Sequence, residues 1–223
     1  MSKAAMHIVM AMLAVGLALG MGLAKEPPKE TQAAVEAEVA AGLKAFKAGK
    51  IHDAIARLQK AISLMQDLVA GDLAAYFPKA PEGWQAGQIK KESIAAAGTT
   101  ASSFIQVTRT YVRTKDKLRV EIRLTNSPQL LAAQQAAAKA FENPMVLRML
   151  NQDPNKQIKR IDRDGWVGWS VVEKGRKAEA TAFTKTCLLF LGASKADADA
   201  LEMFLKAIDL KNLSKALGAA AGP

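Results

Sequence analysis

Few side chains in this chain are of the types that perform nucleophilic or metal chemistry. The sequence holds two histidines, His7 and His52, and one cysteine, Cys187. Nucleophilic catalysis needs a nucleophile, a base within reach and a group that orients the base, and one histidine with one cysteine cannot complete a structural zinc site. Cys187 stands in an apolar strand, which predicts a buried, unreactive thiol; an intermolecular disulfide is the alternative. His52 begins a helix, where we expect an exposed side chain.

The acidic and sulfur-containing patterns favour structural roles. Asp162 and Asp164 alternate before Gly165, but this glycine comes too early for an EF-hand loop, so we expect a hairpin turn, with weak calcium binding as the alternative. Met145 and Met149 lie one helical turn apart, which suits core packing or, alternatively, a soft copper ion. No glycine-rich phosphate loop occurs. We therefore predict no catalytic residue, no cofactor and no metal site, and an enzyme built from dispersed carboxylates is the alternative.

A group of basic side chains is the clearest candidate for ligand binding. Arginines lie on two predicted strands, and lysines lie in the turn between them. If both strands present their arginines on one face, they form a basic plate around Tyr111 that could hold anions through bidentate contacts. A solvated face relieved by Glu121 is the alternative. The candidate anion-binding residues are Arg109, Arg113, Lys115, Lys117, Arg119 and Arg123.

The amino-terminal residues have the pattern of a secretory signal peptide, which we place at residues 1–24. Lys3 precedes an apolar run over residues 8–19, and a small-x-small sequence predicts cleavage after Ala24. The apolar run is too short for a membrane span, which needs about 20 residues. Lys25 rather than a cysteine stands directly after the cleavage site, so a lipid anchor is not expected. These features predict a periplasmic or secreted protein that does not span a membrane once it is processed.

The formal charge of +10 describes the surface that this protein presents to partners. A basic balance favours polyanionic surroundings, so an anionic lipid or polymer is a candidate partner. The lysines and arginines are scattered, however, and a simply solvated basic surface is the alternative. The sequence contains no arginine-rich run and no nucleic-acid-binding motif, so we expect no nucleic-acid partner.

After a predicted linker at residues 25–31, residues 32–71 have the pattern of a helical hairpin. Apolar residues recur every three or four positions over residues 35–46 and again over residues 51–68, on either side of Gly49. Each stripe would form one face of a helix. The residues that we expect to contact another protein are Phe46, Ile51, Ile55 and Leu58.

The hairpin resembles one unit of the tetratricopeptide repeat, in which small residues let two helices approach closely. The residues that carry the resemblance are Gly42, Gly49, Ile51, Ala54, Ala61 and Leu64. Gln66 stands where the family usually has proline, and no second copy follows. Because a lone repeat cannot bury its own face, the resemblance implies that the hairpin packs on the rest of the chain or on another protein. A generic helical hairpin is the alternative.

Residues 72–217 are expected to form an α+β domain, and residues 218–223 a flexible tail. Ser127 is a predicted helix cap after the first strands, and Ser194 with Asp197 forms a predicted capping box for the final helix. Strands followed by helices predict an antiparallel sheet with helices on one face. We expect the helical hairpin to pack on this sheet. The order of elements also suggests two similar halves, each made of strands followed by a helix. The predicted strands cover residues 103–113, 118–125, 157–162, 166–172 and 178–191.

The same region resembles small secreted bacterial α+β domains that have no assigned activity. The resemblance is carried by Ala-Pro-x-Gly-Trp at residues 80–84 and by Lys-Ala-Ile-Asp-Leu at residues 206–210. It implies the same layout of strands and helices. It carries no catalytic residue over to this chain.

These features favour a non-catalytic exported binding or accessory protein whose hairpin contacts an envelope protein. The alternative is a carrier whose sheet and helices enclose a lipid or a small amphiphilic or anionic ligand, close to Trp84, Trp166 or Trp169. Because Trp166 and Trp169 have opposite parity on one strand, we expect only one of them to face the core.

Overall fold

The computed structural model describes residues 29–95 and 103–216. The predicted signal peptide, the first part of the predicted linker and the predicted tail lie outside these residues. Two helices begin the described chain, α1 over Lys29–Lys47 and α2 over Ile51–Ala74. α1 therefore begins within the predicted linker, and Glu30 lies in its first turn, where a negative charge is favoured by the helix dipole.

The remaining described residues are built on an antiparallel sheet of eight strands, which confirms the predicted α+β class. The strand order is β1-β3-β4-β8-β7-β6-β5, and β2 pairs with β3 on the same edge as β1. The strands are β1 Trp84–Ala86, β2 Lys90–Ala95, β3 Ser103–Arg113, β4 Arg119–Thr125, β5 Lys156–Arg163, β6 Trp166–Glu173, β7 Lys177–Phe183 and β8 Leu188–Ala193.

The described residues form four further helices, two between β4 and β5 and two after β8. As predicted, Ser127 caps the first of them, since its hydroxyl accepts a hydrogen bond from the Leu130 N–H. Asn143 caps the next helix by accepting from the Met145 N–H. The helices are α3 Pro128–Phe141, α4 Pro144–Leu150, α5 Ala198–Ala207 and α6 Leu210–Ala216. Among the described residues, none of the helices combines the length and the apolar character that crossing a bilayer requires.

The main core lies on one face of the sheet. Alternate residues of β4 and β8, including Ile122 and Leu191, point into it. Ala70 and Leu73 from the carboxyl-terminal part of α2 join the same cluster, and so does Phe204 of α5. The hairpin thus packs on the sheet, as predicted, through the last two turns of α2.

Helix α3 adds a contact on the opposite face of the sheet. Leu131 packs in a second cluster with Phe183 and Leu188. The adjacent strand residues, Ala182 and Leu189, point into the main core, and because successive side chains of a strand alternate between faces, the second cluster lies on the other face. Further along α3, the Phe141 ring lies 4.6 Å from the Trp169 ring, measured between centroids. The helices that cover the main face are therefore α2, α5 and α6.

The strand order has an approximate symmetry about the central β4–β8 pair. Moving outward from β4, the neighbours are β3 and β1, whereas from β8 they are β7 and β6. Trp84 begins β1 and Trp166 begins β6, and each follows a glycine at positive φ, Gly83 at 76° and Gly165 at 80°. The two Gly-Trp pairs thus occupy equivalent strands. The symmetry does not extend to the helices, since α3 and α5 contact opposite faces.

Two local predictions need correction. The predicted strand over residues 178–191 is in fact two strands, β7 and β8, joined by a turn in which the Thr184 N–H donates to the Cys187 carbonyl. The predicted capping box is absent at the start of α5: Asp197 itself is the N-cap and accepts from the Ala200 N–H at 2.8 Å. Ser194 instead accepts a hydrogen bond from the Arg119 N–H.

Candidate functional site

The two hairpin helices approach each other closely because small residues lie at their contact. Ala54 and Ala61 are buried there, and a Cβ built on Gly42 would lie 3.0 Å from the Leu58 Cγ. Gly49 allows the chain to reverse, since its φ of 75° lies in the left-handed region. The small residues that carry the tetratricopeptide resemblance therefore serve helix packing.

One side of the hairpin is apolar and uncovered. The four residues predicted to contact a protein all lie there, and Phe46 and Ile55 are 57% and 48% exposed. Four more large apolar residues with the same helical periodicity extend this surface. They were not predicted as contact residues, because periodicity alone does not distinguish a buried apolar face from an exposed one. This surface, the apolar stripe, consists of Leu43, Phe46, Ile51, Ile55, Leu58, Ile62, Met65 and Val69.

Ion pairs lie on the other side of the helix–helix contact. Arg57 Nη1 and Lys60 Nζ of α2 lie 3.0 Å and 2.6 Å from the carboxylate oxygens of Glu38 on α1. Hydrogen bonds from Lys60 and Arg57 lower the pKa of the Glu38 carboxyl. A shallow cleft of about 470 Å³ follows on this side, lined in part by Lys44 and Asp53. The hairpin is therefore amphipathic as a unit, with one polar and one apolar side.

Charge is also separated along the length of the hairpin. Lys44, Lys47 and Lys50 lie at its tip, where α1 turns into α2. Glu36 and Asp67 lie nearer its base, where α2 meets the sheet. The hairpin thus presents positive charge at the tip and negative charge at the base.

The predicted basic plate is not formed. β3 pairs Thr108 with Arg123 and Val112 with Arg119, so the arginines of β4 share a face with the even-numbered residues of β3. Arg109 and Arg113 are odd-numbered and point to the other face. Lys115 and Lys117 lie in the exposed turn between these strands.

Three of the four arginines instead make separate side-chain contacts within the protein. Arg123 Nη2 lies 2.6 Å from a Glu121 carboxylate oxygen, as in the solvated-face alternative. Arg109 Nε donates to the Gly87 carbonyl at 3.1 Å. Arg113 Nη2 lies 2.7 Å from Asp116, and this guanidinium holds the pKa of the Asp116 carboxyl at about 2.

Cys187 and His52 have the surroundings that the sequence predicts. Cys187 is fully buried, as predicted, and this burial raises the pKa of its thiol to about 12. A thiol with so little thiolate is a poor nucleophile and a poor metal ligand. His52 is exposed in the first turn of α2, as expected.

The tryptophans named for a ligand carrier are all used in packing. Trp166 is fully buried and its indole N–H donates to the Leu210 carbonyl at 3.1 Å, while the Trp84 ring packs edge-on against Phe204. Trp169 points to the opposite face, as its parity predicts. A cleft of about 450 Å³ does lie between α6 and the segment that follows α2, but its lining includes Tyr76 and Asp209 and none of these tryptophans.

The structure also decides between the alternatives for the acidic turn and for the two methionines. Asp164 and Gly165 form the tight turn between β5 and β6, both at positive φ, as a hairpin turn requires. Met145 and Met149 are 71% and 63% exposed, so the expectation that they pack in the core is wrong. Across residues 29–95 and 103–216, no group of three or more histidine, cysteine, aspartate or glutamate side chains is placed to hold a metal ion.

Comparison with known proteins adds no relative. No protein family, curated protein or solved structure matches this chain. On the surface of the protein itself, the apolar stripe is the feature with the clearest chemical character.

Proposed function

We propose that this chain is a non-catalytic exported binding protein that holds a protein partner on the apolar stripe of its hairpin. The export part of the proposal comes from the signal-peptide pattern at residues 1–24. The binding part comes from the hairpin, whose resemblance to a single tetratricopeptide unit also implies a face that needs a partner.

The observation that carries the proposal is the uncovered apolar side of the hairpin. Eight large apolar side chains, from Leu43 to Val69, are each more than a third exposed. Soluble monomers rarely expose a contiguous apolar surface of this kind, and such surfaces mark interaction sites. The core cluster of the sheet includes Ala70 and Leu73 from the last turns of α2 and none of the eight stripe residues. The stripe is therefore available for contact with another molecule.

The test compares two double variants of the purified, tagged protein as baits in envelope extract. Ile55→Glu/Ile62→Glu places two charges in the stripe, whereas Gln59→Glu/Ser63→Glu places two charges at exposed positions of the same helix outside it. We expect the stripe variant to lose the proteins that wild type recovers, and the control variant to keep them. Equal recovery by a stripe variant with an unchanged circular dichroism spectrum would contradict the proposal.

Export is tested separately by the mass of the protein isolated from the producing cells. We expect a periplasmic or secreted chain that begins at Lys25. An intact chain that stays in the cytosol would contradict this part of the proposal.

A further inference from the structure

We infer that one end of the sheet is a docking surface for an anionic lipid bilayer. Three connections meet there: the β3–β4 turn, the β6–β7 turn and the link from β8 to α5. Ala193 at the end of β8 pairs with Val120 on one side and with Ala178 on the other, so the three connections lie side by side. Their exposed basic residues form the surface that we call the basic end: Lys115, Lys117, Arg119, Lys174, Arg176, Lys177 and Lys195.

Positive charge is concentrated in these connections. Residues 113–119, 173–177 and 193–197 contain eight basic and three acidic residues. Glu82 and Asp199 are exposed carboxylates on segments next to the basic end. Even when both are counted, the basic residues outnumber the acidic ones, so this end of the sheet attracts anions.

The opposite end of the sheet does not share this charge. The connections that meet there, residues 125–128, 163–166 and 183–188, contain two basic residues and one acidic residue. The charge of the sheet is therefore polarised along the direction of its strands, and one end is the favoured contact for an anionic surface.

Most of the cations of the basic end are available to an external anion. Arg176 and Lys177 form ion pairs with nearby glutamates. Among the residues that the structure describes, the other five members of the basic end form no ion pair. Lys195 Nζ does donate to the Asp116 carbonyl at 3.1 Å, which ties the β8–α5 link to the β3–β4 turn. A neutral carbonyl leaves the charge of this ammonium group uncompensated.

The backbone conformation of Lys117 indicates a role for its side chain. Its φ of 58° lies in the left-handed region, where glycine is unstrained and lysine is not. The Lys117 N–H donates to the Arg113 carbonyl at 3.0 Å, a hydrogen bond that glycine would make equally well. Strain that the turn itself does not require is typical of functional positions. Lys195 has the same backbone feature, with φ at 61°.

The arrangement favours a bilayer over a protein partner. Five neighbouring strands, from β3 to β6, carry the basic end, so it extends over about 19 Å. Protein interfaces are centred on buried aromatic or apolar anchors. None of the large apolar side chains exposed in the described part of the chain lies on these three connections. Lipid headgroups rearrange around fixed cations and need no such anchor.

The arrangement also favours a bilayer over a linear polyanion. Such polymers are held in a basic groove that follows their backbone. The two clefts described above contain none of the residues of the basic end. Its cations stand instead on separate connections at the end of the sheet, where one flat anionic surface reaches all of them.

The first measurement is retention of the purified protein on sedimented vesicles of phosphatidylcholine, with or without phosphatidylglycerol. We expect retention only on the anionic vesicles, decreasing as salt is raised. Lys117→Gln/Lys174→Gln removes two charges from the basic end, and we expect it to bind about 30-fold more weakly, since each charge contributes roughly fivefold.

The matched control removes two charges from the opposite end of the sheet. Lys185→Gln/Lys211→Gln has the same net charge as the first variant, but Lys185 lies about 20 Å away along β7, roughly twice the screening distance. We expect this control to bind within about twofold of wild type. Equal weakening by the two double variants, or no preference of wild type for anionic vesicles, overturns the inference. Retention on heparin without retention on anionic vesicles overturns it in favour of a polymeric partner.

The second measurement separates the charge of Lys117 from its place in the fold. Glycine adopts this φ freely, so Lys117→Gly should not lower the urea midpoint of unfolding, and we expect about fivefold weaker binding to anionic vesicles. Unchanged binding overturns the inference. A lower midpoint would show that Lys117 serves the turn rather than the bilayer, which also counts against it.

This inference goes beyond the proposed function and fails separately from it. We expect Ile55→Glu/Ile62→Glu to keep its retention on anionic vesicles, and Lys117→Gln/Lys174→Gln to keep its recovery of envelope proteins. If the stripe variant loses vesicle retention and the basic-end variant keeps it, the lipid contact belongs to the hairpin and the inference is wrong. Loss of envelope-protein recovery in the stripe variant alone supports the proposed function whatever the vesicles show.

Discussion

Arg113 and Asp197 are 84 residues apart in the sequence, yet Arg113 Nη2 lies 2.8 Å from an Asp197 carboxylate oxygen. The pair joins the end of β3 to the start of α5. Asp197 has a second role, since its other oxygen accepts a hydrogen bond from the Ala200 N–H. The guanidinium of Arg113 also lies over the Trp84 ring, 5.5 Å from the centroid. A single carboxylate therefore caps a helix and ties it to the end of β3.

Removing the carboxylate of Asp197 should destabilise the fold. We expect Asp197→Ala to lower the free energy of unfolding by about 1–2 kcal/mol, because the N-cap of α5 is lost. Asp197→Asn keeps a capping oxygen and should retain most of this stability. The measurement is urea unfolding followed by tryptophan fluorescence. Asp199→Ala, in the first turn of the same helix, is the matched control, and an equal loss in that variant would contradict the capping role.

Stability should depend on pH through Asp116. The hydrogen bond from Arg113 holds the pKa of Asp116 at about 2 in the folded protein, against an ordinary value of 3.8. Between pH 3.8 and pH 2 the Asp116 carboxyl of the unfolded chain binds a proton more readily than that of the folded protein. The stability that ionised Asp116 contributes is therefore fully present above pH 3.8 and is lost as the pH falls towards 2. We expect Asp116→Asn to weaken the acid dependence of the unfolding free energy between pH 4 and pH 2.

The control for this pH profile is Glu82→Gln, which removes an exposed carboxyl outside the Arg113 network. It should leave the acid dependence as in wild type. If Asp116→Asn and wild type lose stability in parallel over this range, the coupling of Asp116 to Arg113 does not stabilise the folded state.

Cys187 should resist modification in the folded protein. Because burial raises the pKa of its thiol to about 12, almost no thiolate forms at pH 8, and the sulfur has no exposed surface. We expect a thiol-specific chromogenic reagent to label the folded protein slowly and the urea-unfolded protein completely within minutes. Complete labelling of the folded protein at the unfolded rate would show that the strand opens readily.

Gly168 should be intolerant of any side chain. A Cβ at this position would lie 2.0 Å from the Thr181 carbonyl oxygen and 2.7 Å from the Ala182 Cα, so β6 and β7 would have to separate. We expect Gly168→Ala to lower the free energy of unfolding by about 3 kcal/mol. Gly71→Ala is the control: its nearest contact is Lys91 Nζ at 3.8 Å, and a helical alanine should stabilise by about 0.5–1 kcal/mol. Similar effects in both variants would contradict the close approach.

Much of this fold could be predicted from periodicity. β4 alternates strictly, with Val120, Ile122 and Leu124 buried, and its sequence alone predicts a strand with one face in the core. The hairpin helices follow from their 3.6-residue periodicity in the same way. What periodicity could not show is whether the apolar face of the hairpin is covered, because this depends on the length of α2 beyond the sheet.

The basic plate failed because Val107 and Tyr111 of β3 share the core face with Ile122 of β4, and this register turns the arginines of the two strands to opposite faces. The β3–β4 turn pairs Arg109 with Ile122. A register shifted by one residue would have paired Arg109 with Arg123 and placed the arginines on one face. A shift of one residue exchanges the two faces of a strand, and the hydrophobic pattern sets the register together with the turn. The apolar alternation of both strands therefore already argued against the plate.

The turn between β7 and β8 was missed because it has none of the usual turn residues. Its Thr184 hydroxyl accepts hydrogen bonds from the Thr186 and Cys187 N–H groups, at 3.3 Å and 3.1 Å. A threonine can form such a turn in place of asparagine or glycine, but its sequence signal is weaker.

The length of α2 separates the apolar stripe from the net positive charge of the sheet and its helices. The tip of the hairpin lies about 27 Å beyond the residues that α2 contributes to the core, which is roughly three times the screening distance at physiological ionic strength. The positive potential of the sheet and its helices has therefore decayed before it reaches the tip. Salt should weaken any binding of polyanions to the sheet and its helices more than it weakens the proposed apolar contact through the stripe.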